Sequence, residues 1–272
     1  DDYKIYWKGC PIAYITKGKN YLSPKLELIV DEAIDLESRE KLKINLEEKL
    51  YQLILSELSD LFNLSKSKFK NNYVRALCYQ LFENNGVIKR EVIHEMIKNI
   101  TKEDRLSLRK AGVKIGRYHI FLPKMLKPAA VNLRIKLWKL FFSEDKEYIV
   151  PKFGLNFLKN EERKNNKFLL ICGFENFGNF YVRVDILERL FLKIIENTKN
   201  NAFEIDSTMI NLIGCNKENF FKLLNLMQYR PKKVKNSDRE FFEYNPKYQK
   251  SKKTVKKSDK NSPFDVLSEL GL

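Results

Sequence analysis

The apolar pattern of this chain changes period once, near residue 36, and that switch constrains the fold more than any single motif. Residues 3–30 alternate apolar and polar side chains, punctuated by Gly9, Pro11, Gly18 and Pro24, the pattern of short strands and turns. From Leu36 the period becomes helical. Leu42, Leu46, Leu50, Leu53, Ile54, Leu58, Leu61 and Phe62 share one face of a helix predicted to end near Leu64. A second helix turns Tyr73, Val74, Leu77, Cys78, Leu81 and Phe82 inward and stops at Gly86. Shorter helices pass through Val92, Ile93, Met96 and Ile97 and then through Leu106. GVKIGRYHIFLP, 112–123, reads as strand, and Pro128 opens a further helix, where its missing N–H costs nothing.

The C-terminal half repeats the alternation of element types on a smaller scale. FLLICGFENFGNFYVRV, 168–184, reads as two strands joined by a turn at Gly178. VDILERLFLKIIEN, 184–197, reads as a helix with Asp185 as N-cap and Glu188 three residues on, the spacing of a capping box. Phe203 to Ile205 form an extended link, two helices flank Gly214 with Asn216 capping the second, and 229–244 reads as strand, polar turn, strand. That order is the order of a winged helix, with Lys217 and Lys222 on its recognition helix and Lys235 to Arg239 as its wing.

The expected fold is therefore mainly α with small β elements, an α+β chain in which a helical bundle is followed by a winged-helix-like module and a basic disordered tail. Its parts are a β-rich lead-in (1–35), a helical domain (36–142), a linker (143–166), the winged-helix-like module (167–244), the tail (245–261) and a short amphipathic segment (262–272).

Charge narrows the class of partner. The 272 residues carry a formal net charge of +16, which favours phosphate-bearing ligands through counterion release. Between Arg230 and Lys260 twelve cations face four anions, so half of the excess lies in that stretch. Tyr244 and Tyr248 sit among those cations and could stack on bases. With 43% apolar residues the chain can build a core, and no apolar run approaches the roughly 18 residues of a membrane span. Neither the charged start nor the apolar core of a signal peptide follows Asp1, so we expect a cytoplasmic protein, of which these residues are a piece.

The residues that usually carry catalysis are sparse. Cys10, Cys78, Cys172 and Cys215 are isolated, without zinc-site spacing, and read as reduced core residues. His94 reads as a packed helix residue and His119 as a strand residue; no Gly-x-Ser-x-Gly elbow or triad is legible.

AYITKGKNYLSPKLELIVDEAID, 13–35, imitates an ATP site, with Gly18-Lys19 before an apolar run and Asp31-Glu32 after it. A phosphate loop needs a hydroxyl residue after its Lys and a helix beyond. Here Asn20 stands in the hydroxyl position and Pro24 interrupts any helix. The twelve residues from Lys19 to Asp31 are also too few for the crossover that parallel strands require. Asp31, Glu32 and Asp35 read instead as acidic residues favoured at the start of the long helix.

Several stretches in order, IYWKGCPIAYITKG, LSPKLELIVDE, LCYQLFENNGVIKREVI, LRKAGVKIGRYHIFLPKMLKPAAVNLRIKLW, GFENFGNFYVRVDILERL, INLIGCNKENFFKLLNLMQYR and SPFDVLSEL, cover nearly the whole chain. Together they resemble the region C-terminal to the motor in a bacterial, alphaproteobacterial-type family of superfamily 2 helicases. That family is related to the RNA helicase of the mitochondrial degradosome. The resemblance implies two RecA-like domains upstream of residue 1, so ATP and magnesium are expected there and no cofactor, metal or catalytic residue is expected in this chain. Many Arg positions of the family are Lys or Asn here, which exchanges bidentate phosphate contacts for point charges.

The expected partners are RNA or DNA, single-stranded, the helicase core of the same protein, and a protein that docks on 262–272; a membrane is not among them. Candidate phosphate contacts are Arg117, Lys124, Lys127, Arg134 and Arg183 in the body, and Lys217, Lys222, Arg230, Lys232, Lys233 and Lys235 in the module. Lys252, Lys253, Lys256 and Lys257 supply those of the tail. A stand-alone winged-helix regulator of DNA and a protein-docking region are the alternatives. The purified chain is expected to show no ATP turnover that depends on Lys19, and hydrolysis abolished by Lys19→Ala in a phosphate-release assay would overturn this reading.

Overall fold

The computed structural model describes residues 3–29, 35–142, 148–159, 166–233 and 240–245. They form a mixed α+β structure with four small antiparallel sheets among ten α-helices and one short 3-10 helix, Pro123–Leu126. In chain order the first half holds β1 Lys4–Trp7, β2 Cys10–Thr16, β3 Lys25–Leu28, α1 Leu36–Glu57, α2 Ser59–Lys66, α3 Asn72–Glu83, β4 Val87–Lys89, α4 His94–Lys98, α5 Lys102–Lys110, β5 Lys114–Ile115, β6 His119–Phe121 and α6 Pro128–Phe142. The second holds β7 Phe157–Lys159, α7 Asn166–Ile171, β8 Phe174–Phe177, β9 Phe180–Arg183, α8 Val184–Asn197, β10 Thr198–Lys199, β11 Ala202–Glu204, α9 Ser207–Ile213, α10 Lys217–Leu226, β12 Tyr229–Lys232 and β13 Phe241–Tyr244. The sheets run β1-β2-β3, β4-β6-β5, β7-β9-β8 and β10-β11-β13-β12.

The stretch that imitates a phosphate loop is the β2–β3 connection. A Cβ on Gly18 would fall 1.7 Å from the Ser23 carbonyl oxygen, so glycine is there because the chain folds back on itself. Asn20 closes the turn by accepting from the Leu22 N–H at 3.1 Å. No helix follows Lys19 before β3. Ala13 and Leu26 are buried, β3 lies against α1, and Asp35 caps α1 by accepting from Ser38 N–H at 3.0 Å. Asp31 and Glu32 lie outside the described residues.

The long helix predicted to Leu64 is two helices that break at Leu58, where the backbone leaves helical geometry while the side chain stays buried. Leu53 and Tyr73, expected on the inward faces, are exposed, because those faces are held by Ile54 and Val74. The first core packs α2, α3 and the start of α6 around Leu61, Leu77, Leu81, Ile120 and Met125. Asn85 and Gly86 both take positive φ, 60° and 80°, to turn the chain from α3 into β4. A Cβ at Gly86 would meet Met125 Cγ at 2.7 Å.

The second core packs α8, α9 and α10 against the β10–β13 sheet around Leu187, Leu190, Phe203, Phe220 and Phe242. The elements predicted around Gly214 and Asn216 are present. Gly214 ends α9 in the left-handed conformation, and Asn216 caps α10 by accepting from Asn219 N–H at 2.9 Å.

Two predicted elements differ. Phe168 to Ile171 are helix rather than strand, since Phe168 and Leu169 fold onto Trp138 of α6. The segment expected as a linker, 143–166, supplies Tyr148, whose ring stands edge-on to Trp138 at 4.9 Å, and β7, which pairs with β9. No helix among the described residues is long and apolar enough to cross a membrane.

Arg134 corrects an expected phosphate contact. It lies inside α6 with 0% exposure, and its guanidinium donates to the carbonyls of Asn85 at 2.7 Å and Met125 at 2.5 Å. The neighbouring apolar positions share its face, so helical periodicity takes Arg134 into the core with them. Burial pushes its pKa down to about 10, which leaves it a cation at neutral pH. Arg134→Met is expected to lower the unfolding free energy by about 2–5 kcal/mol, because two buried carbonyls lose their donor. A urea titration checks this, and an unchanged midpoint would contradict it.

Candidate functional site

The two halves of the chain meet at three buried ionisable side chains. Glu188 of α8 accepts from the backbone N–H groups of Arg117 at 2.6 Å, Tyr118 at 2.8 Å and His119 at 2.9 Å. This is the true role of the glutamate expected in a capping box. Arg183 takes the N-cap position of α8, and Asp185 pairs with it, accepting from Nε at 2.6 Å and Nη2 at 2.8 Å. The turn can lie against the carboxylate only because residue 116 is glycine, where a Cβ would fall 2.3 Å from the Glu188 carboxyl carbon.

His119 extends the joint. Its Nε2 is 2.7 Å from Glu175 Oε2 on β8, and its Nδ1 lies 3.7 Å from Glu188 Oε1. Glu175 Oε1 in turn accepts from Lys89 Nζ at 2.6 Å. Burial works against the imidazolium, but the hydrogen bond to Glu175 and the charges of the two carboxylates outweigh it and raise the His119 pKa above 6.5. Burial likewise opposes ionisation of Glu175 and Glu188. The donors around them win, so both carboxyl pKa values are held below 4.5. Glu188 spends both oxygens on N–H donors, and among the described residues no group of three His, Cys, Asp or Glu side chains could hold a metal ion.

Above this joint lies a cleft of about 450 Å³. Lys89, Arg90 and Arg117 supply its cations; Tyr118, Phe177 and Tyr244 supply its rings. Arg90 is oriented by donating to the Gly116 carbonyl at 2.9 Å. Tyr118 stands edge-on to Phe177 at 6.4 Å and to Phe191 at 5.8 Å, with the Arg117 guanidinium 5.8 Å from the Phe191 centroid. A second groove of about 510 Å³ shares Arg117, Tyr118 and Tyr244, and a third of about 870 Å³ shares Leu226 and adds Lys159, Lys222 and Arg230. Cations thus line all three concavities, which share lining residues, and the rings of Tyr118 and Tyr244 line the first two.

The expected phosphate contacts divide sharply. Arg117 is exposed and lines both the cleft and the second groove. Arg230 reaches the third groove but donates to Asn225 O at 2.8 Å and Oδ1 at 3.0 Å. Carboxylates hold Lys124 (Asp60, 2.8 Å), Lys217 (Glu240, 2.6 Å), Lys232 (Glu243, 2.8 Å) and Lys222 (Glu218). Lys127 and Arg183 line a small pocket of about 230 Å³, and Lys233 an open groove. Arg134 is core, and Lys235, Lys252, Lys253, Lys256 and Lys257 lie outside the described residues, as does 262–272.

Sequence reasoning missed Lys89, Arg90, Tyr118 and Phe177. Only the placement of Tyr118 and His119 between Arg117 and the strand residue Ile120 hinted at them. His94, expected packed, is exposed and lines the cleft rim. No protein-family model matches the chain, and no curated protein and no solved structure matches it significantly.

The joint sets a pH window for stability. The contribution of His119 is complete below 6.5 and is lost as pH rises through its raised folded pKa; that of the two carboxylates is complete above 4.5 and is lost as pH falls through their lowered ones. Stability due to the joint should therefore plateau between those values. His119→Gln should abolish the decline on the alkaline side and cost about 3–5 kcal/mol inside the window, since it strips a buried partner from two carboxylates. Urea unfolding across pH checks both, and an alkaline decline unchanged in the variant would refute the assignment.

Proposed function

We propose that this chain binds single-stranded nucleic acid in the cleft over the His119 joint, as an accessory region of an ATP-driven helicase. The observation that carries the reading is the convergence of Lys89, Arg90 and Arg117 with Tyr118, Phe177 and Tyr244 around one concavity. Cations track a phosphate backbone without regard to sequence, and flat rings accept any base, which together describe single-strand binding. The helicase context rests on the sequence resemblance. On this reading ATP and magnesium act in RecA-like domains, and the chain grips the strand.

The C-terminal module supports a winged-helix reading. Its order is α8, β10, β11, α9, α10, β12, β13, and β13 lies between β11 and β12. A duplex-reading helix needs cations available to phosphates on its exposed face. The two lysines of α10 are matched by Glu240 and Glu218, as Lys89 of the cleft is by Glu175, so the cleft is favoured over α10 as the main contact by Arg117, which is exposed, and by Arg90, which donates to a backbone carbonyl. A stand-alone regulator of duplex DNA is correspondingly the weaker reading.

Fluorescence anisotropy with a labelled oligonucleotide tests the proposal. Binding should weaken as salt rises, with a slope of about −0.7 per phosphate contact, and a single strand should be preferred to a duplex. Tyr244→Ala, at a half-exposed ring, should cost about 1–3 kcal/mol of binding free energy, and Arg117→Ala should flatten the salt slope. Absence of binding at low salt, or full affinity in the double variant, would sink the reading.

A further inference from the structure

We infer that the His119 joint controls the cleft by proton linkage: the protonated ring frees Lys89 for a phosphate, and loss of that proton commits Lys89 to Glu175. This control rests on single-strand binding in the cleft and adds its regulation. The ring sits between two acceptors. Nε2 lies 2.7 Å from Glu175 Oε2 and Nδ1 lies 3.7 Å from Glu188 Oε1, and Nδ1 has no hydrogen-bond partner among the described residues. A neutral imidazole carries one proton, so one of its nitrogens would turn a lone pair on a carboxylate. Only the imidazolium presents an N–H to both. At 1% exposure the ring has little water to screen that difference. Burial alone would lower its pKa, but the hydrogen bond to Glu175 and the two negative charges raise it above 6.5.

Glu175 carries the state of the ring to the surface. Its Oε2 faces His119, while its Oε1 accepts from Lys89 Nζ at 2.6 Å and from Asn176 N–H at 3.0 Å. The pairing of β4 with β6 sets Lys89 opposite His119, so one ladder delivers both cations to the carboxylate. The Glu175 side chain is 8% exposed, whereas that of Lys89 is 47% exposed and lines the cleft. With the ring charged, Lys89 can turn to a phosphate while His119 still neutralises Glu175. With the ring neutral, Lys89 is the only cation against Glu175 among the described residues. Moving it then strands a buried carboxylate, which costs more than a surface contact returns. By reciprocity, a bound strand should draw a proton onto His119.

Other ionisable groups surround the ring. Arg90 donates to the Gly116 carbonyl, Arg117 is exposed, Lys114 of β5 lies over Phe121, and burial pushes the Tyr118 hydroxyl upward. Glu91, His94 and Tyr244 also line the cleft. Histidine is the residue type that ordinarily changes charge between about pH 5 and 8, so His94 is the one to control for.

Affinity for oligothymidylate, read by fluorescence anisotropy at constant ionic strength between about pH 6 and 8.5, tests the inference. Kd should be lowest below 6.5 and rise about 5-fold or more as pH passes through the raised pKa of His119, the size of an ordinary coupling between sites. Lys89→Met leaves the ring and both carboxylates in place and should flatten most of that rise, with Kd at the acid end moved toward its alkaline value. His94→Gln should keep the rise. Calorimetry of the unaltered chain in two buffers of different ionisation enthalpy should show proton uptake on binding. A rise undiminished in Lys89→Met, a rise abolished by His94→Gln, or binding without proton uptake overturns the inference and leaves single-strand binding standing. No binding at low salt at any pH removes both. Far-ultraviolet circular dichroism confines the comparison to conditions in which each variant is folded, since the stability due to the joint falls over the same range.

Discussion

The carboxylate of Glu188 accepts three successive backbone N–H groups of the 117–119 turn, and the packing of the two halves is organised around that contact. A buried carboxylate is stable only where donors replace lost water. Here most of the donors are main-chain groups, whose positions are fixed by the path of the turn. Gly116 is the condition for that path, since any Cβ would collide with the carboxylate. The joint is thus a constraint on the backbone as much as a charge interaction, and it fixes where Arg117 and Tyr118 project.

From there the same network reaches the cleft wall. Glu175 bridges His119 beneath and Lys89 above, so the orientation of a surface cation depends on a buried imidazole. Tyr118 is clamped between Phe177 of β8 and Phe191 of α8, rings supplied by the second half of the chain to a residue of the first. Neither half alone would present the surface. Glu188 and Glu175 bond across the expected boundary between the helical domain and the module, and β7, inside the segment expected as a linker, completes a sheet with β8 and β9.

Local rules were legible in the sequence wherever one residue type has one physical reason to occur. Gly86, Gly214, Asn216, Pro128 and Asp35 each stand at the helix boundary their chemistry suggests. Failures came where a pattern served two purposes. Arg134 looked like a surface cation because its charge was weighed alone, yet its helical face is apolar and two carbonyls meet it there. Glu188 matched a capping-box spacing, but the spacing says nothing of a turn seventy residues earlier that needs an acceptor. FLLI was short and apolar enough for either element, and Trp138 drew it into helix. The cleft was nearly invisible, because Lys89, Tyr118, Phe177 and Tyr244 come from four distant strands or turns.

Net charge was the broadest sequence signal and proves the bluntest. Lys124, Lys217, Lys222 and Lys232 each lie against a carboxylate, so their contribution to +16 is locally cancelled. What distinguishes a surface able to hold a single strand is cations standing beside exposed rings. The cleft around Arg117 and Tyr244 meets that condition. It depends on long-range contacts through the His119 joint, since Glu188 of the second half holds the turn that carries Arg117 and Tyr118. Loosening the joint should therefore perturb that surface before it touches the pairing of β1 with β2, which runs within one stretch of the chain.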